Sequence, residues 1–339
     1  MSLPSVPSAP LSFALADDPR PTLELSPIER SGRLSENWAD YERTANPRTL
    51  RTYQAGVAKL VAWMDKQGLA YTFPADPVSP RTLAAWIDDR GENLKPASAR
   101  NYLSGINKMH VLAGWPAPSK AIAVENAIKR LVMDTKAPQR QALPLRWESI
   151  RCALGGMSDS LIDLRDAALV CLAFDTLARA SELVALNVSD FREGPNGYSV
   201  WIARSKTDQS GDGQFRFVSD EAAQRLTAWI EAATLEQDAA IFIPLSTVQT
   251  DAPADRISPR DVSRIYKRRC GAEYSAHSTR VGGAVAQREA GIDSGLIMAS
   301  GGWKSPVMVA RYTKEADAQR SGAAQLARLQ GRTWAGREM

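Results

Sequence analysis

The sequence predicts a mainly α protein in two parts: an N-terminal helical bundle, then a mostly α domain carrying a small antiparallel β-sheet. Three observations carry this reading. Apolar residues recur at helical spacing over most of the 339 residues. Strand-forming alternation stands out at one place only, YSVWIARSKTDQSGDGQFRFVSD. Proline-rich segments lie ahead of the first helices and between the two parts.

Residues 1–30 hold six of the 20 prolines and cannot sustain a helix or a core, which predicts a flexible tail. Residues 31–135 read as the bundle. SENWADYERT opens its first helix. After Pro47, Leu50, Tyr53, Val57, Leu60, Val61 and Met64 form one apolar face. Ser79 followed by Pro80 is an N-cap with proline at the first helical position. A helix over Pro96 to Leu112 and another over about 119–134 complete the bundle. TKAPQRQALP reads as a linker, placed at 136–145. The second domain, 146–314, is helical again to about 185. Two strands follow, Tyr198–Arg204 and Gln214–Val218, around the turn residues Asp208 to Gly213. Helices are then expected near 220, after the Ser258-Pro259 cap, near Ser278, and around 293–299 and 305–312. Residues 315–339 read as an alanine-rich terminal helix and tail.

The composition, 44% apolar and 24% charged, is that of a soluble globular protein. The net charge of +4 is uneven: residues 1–30 carry four acids against two arginines, so the basic excess lies in the folded part and suits a phosphate-rich partner. Cys152, Cys171 and Cys270 are widely spaced, without a CxxC, which predicts a reducing, cytoplasmic setting. No apolar run approaches a membrane span and no signal peptide is evident, so no membrane role is expected. The chain also lacks HExxH, a carboxylate cluster of the two-metal kind and GxxxxGK[ST]; metal-dependent nucleases and ATP-driven enzymes are poor fits, and neither metal nor cofactor is expected.

Three segments carry the residues that suggest chemistry: TLARASELVALNVSDF with Arg179 and Glu182, the hairpin's RSKTD with Lys206, and Ala276–Tyr312 with His277, Arg280, Trp303 and Tyr312. Taken singly, each has an ordinary explanation. Arg179 and Glu182 are spaced as a surface ion pair; Lys206 is a solvated turn lysine; Trp303 and Tyr312 are packing residues. Their conjunction, Arg, Glu, Lys, His, Arg, Trp and Tyr in that order, resembles the catalytic series of the tyrosine site-specific recombinases, specifically the Cre-like branch of the phage integrase family. The resemblance covers nearly the whole chain after residue 31.

The chemistry of that family calls for these groups. A tyrosine ester conserves the energy of a phosphodiester, so strands can be rejoined without ATP. With a pKa near 10, only about one tyrosine in a thousand is ionised at pH 7. A base and an electrostatic sink must supply the difference. Arg179 and Arg280 can clamp non-bridging phosphate oxygens through planar forks. By resemblance, His277 contacts the phosphate and moves protons, Trp303 adds an indole donor, and Lys206 is the general acid for the 5′-oxygen. Glu182 orients Arg179 or His277.

The resemblance further implies a SAM-like core-binding bundle and a two-domain clamp around duplex DNA. Helices around 47–66 and 96–112 would offer Arg51, Thr52, Lys59, Ser98 and Asn101 to the DNA. RIYKRRCG, with Arg264, Lys267, Arg268 and Arg269, reads as a phosphate footprint. Inverted-repeat sites, a dimer per site, a tetramer at synapsis and exchange of the terminal helix between protomers are likewise implied. The 30-residue tail is shorter than an arm-binding domain, so no obligatory accessory protein is expected. The alternatives are a type IB topoisomerase, a telomere resolvase or a catalytically silent DNA-binding factor.

Overall fold

The computed structural model describes residues 27–70, 73, 77–90, 94–135, 141–195, 197–203, 212–248 and 255–332. They form two compact units that divide between residues 139 and 140.

The first unit consists of α1 (Pro27–Thr44), α2 (Pro47–Lys66), α3 (Pro80–Arg90), α4 (Pro96–Leu112) and α5 (Ile122–Asp134). Proline stands at the start of α2 and α4, where its missing N–H has no intrahelical partner to lose. α1 begins at Pro27, so residues 27–30 belong to a helix rather than to the expected tail. The fully buried Leu60, Trp86, Ile87, Ile106 and Val124 fill the core. α2 and α4 cross through two glycines. A Cβ on Gly56 would sit 2.8 Å from the Tyr102 Cα, and one on Gly105 would sit 2.6 Å from the Tyr53 Cα. His110 is 2% exposed and fully engaged. Its Nε2 accepts from the Val78 N–H at 3.0 Å and its Nδ1 lies 2.8 Å from the Ile106 carbonyl. Burial holds it neutral, with its pKa lowered.

The second unit contains α6 (Trp147–Gly155), α7 (Leu161–Thr176), α8 (Ala180–Leu183), β1 (Phe191–Gly194), β2 (Gly197–Ile202), β3 (Gln214–Val218) and α9 (Asp220–Ala232). They are followed by α10 (Pro259–Arg269), α11 (Ser278–Glu289), α12 (Ser294–Gly301), α13 (Pro306–Tyr312), α14 (Lys314–Gln319) and α15 (Gly322–Leu329). The sheet is antiparallel in the order β1-β2-β3, with Phe191 opposite Val200 and Trp201 opposite Phe215. β1 adds a strand to the two expected: FREG has no strand former beyond Phe191 and is held by pairing to β2. α7 is the central helix, buried all round from Arg165 to Ala173, and Trp229 of α9 and Phe242 lie with it in the core. The C-terminal end of the expected linker belongs to this unit. Leu145 is fully buried in its core, and its N–H donates to the Ser278 carbonyl at 2.9 Å.

Among the described residues no helix is long and apolar enough to cross a membrane. α14 is tied to its own unit, because Asp317 pairs with Arg288 of α11 and accepts from Thr313 Oγ1 at 2.7 Å. α15 buries none of its residues; Leu326 and Leu329 are exposed.

Candidate active site

The site lies where the end of α7, α8, β3 and the helices α11 to α13 converge. α7 ends at Leu177, a fully buried residue with φ +49°, in the left-handed region that non-glycine residues rarely adopt. That turn aims the Leu177 carbonyl at Arg280 and starts the short segment leading to Arg179. Arg179 caps α8, and Glu182 follows one turn later. Glu182 Oε2 accepts from the Arg179 backbone N–H at 2.9 Å, the carboxylate half of a capping box. Its Oε1 accepts from Arg179 Nη1 at 2.5 Å. The pair is not a surface pair: the Glu182 side chain is only 2% exposed.

Arg280, in the first turn of α11, is 1% exposed. Its Nη1 donates to the Leu177 carbonyl, and its Nη2 donates to the Gly301 carbonyl at 2.8 Å. The guanidinium lies 4.1 Å from the centre of the Trp303 ring, a cation–π contact. A Cβ on Gly301 would come within 2.1 Å of that indole, so glycine is what lets Trp303 lie there. Burial, then the neighbouring Arg179, pulls the Arg280 pKa down to about 9. It is still a cation at pH 7.

His277 caps α11, and its Nε2 lies 2.8 Å from the Tyr312 hydroxyl at the end of α13. Trp303 flanks the same phenol, with ring centres 5.7 Å apart. Burial, with Arg280, Arg179 and Arg311 adding to it, lowers the His277 pKa to about 4. The imidazole is therefore neutral at pH 7, within hydrogen-bond reach of the phenol. Gln141 Nε2 donates to the Tyr312 carbonyl at 3.3 Å, and the buried Thr313 next to it is anchored to Asp317.

Six of the seven residues singled out in the sequence, Arg179, Glu182, His277, Arg280, Trp303 and Tyr312, thus meet at one place. Lys206 lies outside the described residues. Arg216 belongs to the site and was missed. In β3 the outward faces are Phe215 and Phe217, at 50% and 64% exposure, while Arg216 points inward at 3%. Alternation read from the sequence would put the phenylalanines inside and the arginine out. Phe215 instead packs outside against Trp201, the rings tilted at 55° with centres 4.6 Å apart. Fully burying a phenylalanine is worth roughly 1.5–3 kcal/mol, so the register gives up apolar burial to bring a guanidinium in. The signal available in the sequence was an arginine between two aromatics in a strand next to the site.

The expected DNA contacts divide. Arg51, Lys59 and Asn101 are exposed, and Thr52 and Ser98 are half-buried. Thr52 Oγ1 donates back to the Arg48 carbonyl at 2.9 Å. Lys59 lies over the Tyr102 ring. In α10, Arg264, Lys267 and Arg268 are exposed and Arg269 is half-buried, and Arg264 pairs with Asp261 at 2.7 Å. Arg269 bonds to Asp163 at 2.5 Å and to Asp166 at 2.7 Å, and Arg268 bonds to Asp166 at 2.6 Å. Asp166 is fully buried and must be neutralised. Of the four basic residues expected to face a phosphate backbone, Arg269, 17% exposed, is committed to an internal ion cluster.

A helical unit followed by a mostly α unit with a three-stranded antiparallel sheet is the fold of the tyrosine recombinases. The chain belongs to the phage integrase family, whose sequence profile matches residues 148–319, and is a tyrosine recombinase, an enzyme of site-specific DNA recombination. It is 28% identical over 306 residues to the integrase/recombinase xerD homolog of Selenomonas ruminantium, covering 85% of this chain and 88% of the relative. It is 26% identical over 271 residues to the recombinase cre of Escherichia phage P1, covering 73% and 78%. Among solved structures, the fold matches a XerH site-specific recombinase bound to palindromic difH substrate in a post-cleavage complex. That match has a TM-score of 0.61 at 17% identity, over 88% of this chain and 84% of that one. A lambda integrase dimer bound to a COC′ core site matches with a TM-score of 0.55 at 18% identity, over 91% and 80%.

Proposed function

We propose that this recombinase cleaves one DNA strand at a time by attack of the Tyr312 oxygen on a backbone phosphorus. The new bond is a 3′-phosphotyrosyl ester and the bond broken is that to the 5′-oxygen. Re-ligation reverses the exchange with a 5′-hydroxyl from a partner strand, so neither ATP nor metal enters the balance. The observation that carries this reading is the 2.8 Å contact between the Tyr312 hydroxyl and His277 Nε2, beside the buried Arg280.

The roles follow from the chemistry. Neutral His277 accepts the phenolic proton as the Tyr312 oxygen attacks. Arg179 and Arg280 hold the charge that builds on the phosphoryl oxygens, and each terminal nitrogen of Arg280 keeps a second N–H beyond those given to carbonyls. Trp303 covers the Arg280 guanidinium and excludes water from it. Lys206, assigned by its place in the series, protonates the departing 5′-oxygen.

The substrate is double-stranded DNA, in keeping with the DNA-bound recombinases whose fold this chain shares. In the first unit, Arg51, Thr52, Lys59, Ser98 and Asn101 of α2 and α4 contact it; in the second, Arg264 and Lys267 contribute phosphate contacts. Sites are inverted repeats, filled by a dimer and brought together as a tetramer. α15, with its exposed Leu326 and Leu329, docks on a neighbouring protomer.

The test begins with DNA selected from a random pool by binding to the protein. Wild-type protein, without added metal, is expected to form SDS-resistant protein–DNA adducts, and Tyr312→Phe none. Binding by both proteins with no adduct from either would sink the catalytic reading and leave a DNA-binding factor.

A further inference from the structure

The inward arginine of β3 has no place in the series of reacting groups, yet it touches the elements that hold two of them. We propose that Arg216 is a positioning residue for strand cleavage, fixing Arg179 through Glu182 and Arg280 through the turn at the end of α7. This inference rests on the recombinase chemistry proposed above.

The geometry is specific. Arg216 Nη1 donates to Glu182 Oε2 at 3.2 Å and to the Thr176 carbonyl at 3.0 Å. Glu182 in turn holds both the backbone and the side chain of Arg179. Thr176 immediately precedes Leu177, whose carbonyl receives Arg280. One guanidinium group therefore braces the supports of both arginines that face the phosphate.

Folding alone gives little reason for this arrangement. Buried ion pairs can often be replaced by apolar residues of similar volume without loss of stability. Here the strand turns two phenylalanines outward to keep the ion pair, and the buried Nε of Arg216 has no hydrogen-bond partner among the described residues. Burial also lowers the pKa of Arg216, with Glu182 opposing that shift.

The test is single-turnover cleavage of the selected DNA by wild type, Arg216→Lys, Arg216→Met, Glu182→Gln and the Arg216→Met/Glu182→Gln double variant. DNA affinity and thermal unfolding are measured on each. Arg216→Met is expected to slow adduct formation by about 10- to 100-fold, as loss of an outer supporting partner does elsewhere, with DNA affinity unchanged. Arg216→Lys should recover part of that loss. In the Glu182→Gln background the Met substitution should cost far less than in wild type, because its main route to Arg179 is already broken.

Wild-type cleavage rates in Arg216→Met overturn the inference, as does the same fold-loss in both backgrounds. So does failure of both the Lys and Met variants to fold, which would assign Arg216 to stability alone. Absence of adduct from wild type itself removes the parent reading, and this one with it. An active wild type with an unaffected Arg216→Met removes only this one.

Discussion

Two buried carboxylates in the second unit each gather arginines, and they do so to different ends. Around Asp166, the guanidinium groups of Arg165, Arg268 and Arg269 meet two acids, Asp166 and Asp163, and Arg165 Nη1 also donates to the Ile243 carbonyl at 3.4 Å. Around Glu182, the guanidinium groups of Arg179 and Arg216 converge on a single acid, with Arg280 close by on backbone carbonyls. The first cluster ties α10 to α7 and has little charge to spare. The second is left cationic, beside a neutral histidine and a phenol. Arginine count does not separate a structural knot from an anion site. The ratio of carboxylates to guanidinium groups does, together with what else faces the pocket.

The contrast predicts opposite consequences of mutation. Asp166→Ala removes the buried carboxylate that Arg165, Arg268 and Arg269 share and is expected to destabilise the second unit by about 3–5 kcal/mol in urea unfolding. The fraction that remains folded should cleave selected DNA at the wild-type rate. A specific loss of cleavage by folded Asp166→Ala would erase the distinction. Arg280→Lys should do the reverse. Losing the fork from the anion site is expected to slow single-turnover cleavage by about a hundred- to a thousandfold, while DNA affinity holds.

A smaller effect comes from pH. His277 has its folded-state pKa lowered to about 4, below the ordinary histidine value of 6.5. Between those values the unfolded chain binds a proton that the folded chain does not. Stability therefore rises with pH through about 4 to 6.5, by up to roughly 3 kcal/mol. His277→Asn should flatten that part of the stability profile, measured by denaturant unfolding across pH. An unchanged slope would mean that the imidazole is not held in the buried, cationic surroundings described. His110 is lowered by burial as well, so part of the slope persists in His277→Asn.

Much of this protein is determined by local sequence. The helices of the first unit follow from apolar spacing and from prolines at their starts, both matters of a few neighbouring residues. Arg179, His277, Arg280, Trp303 and Tyr312 were legible as a series because their order along the chain is distinctive. Tertiary structure decided the rest, because it depended on partners far along the chain. Arg269 reads as one more exposed basic residue until Asp166, about a hundred residues earlier, is packed against it. Leu145 reads as linker until α11 supplies the carbonyl that receives its N–H. β3 reads with its phenylalanines inside, since a strand's alternation fixes only which residues share a face. Which face meets the core shows only in the fold, where Arg216 reaches Glu182 and Thr176, residues 34 and 40 positions earlier in the chain.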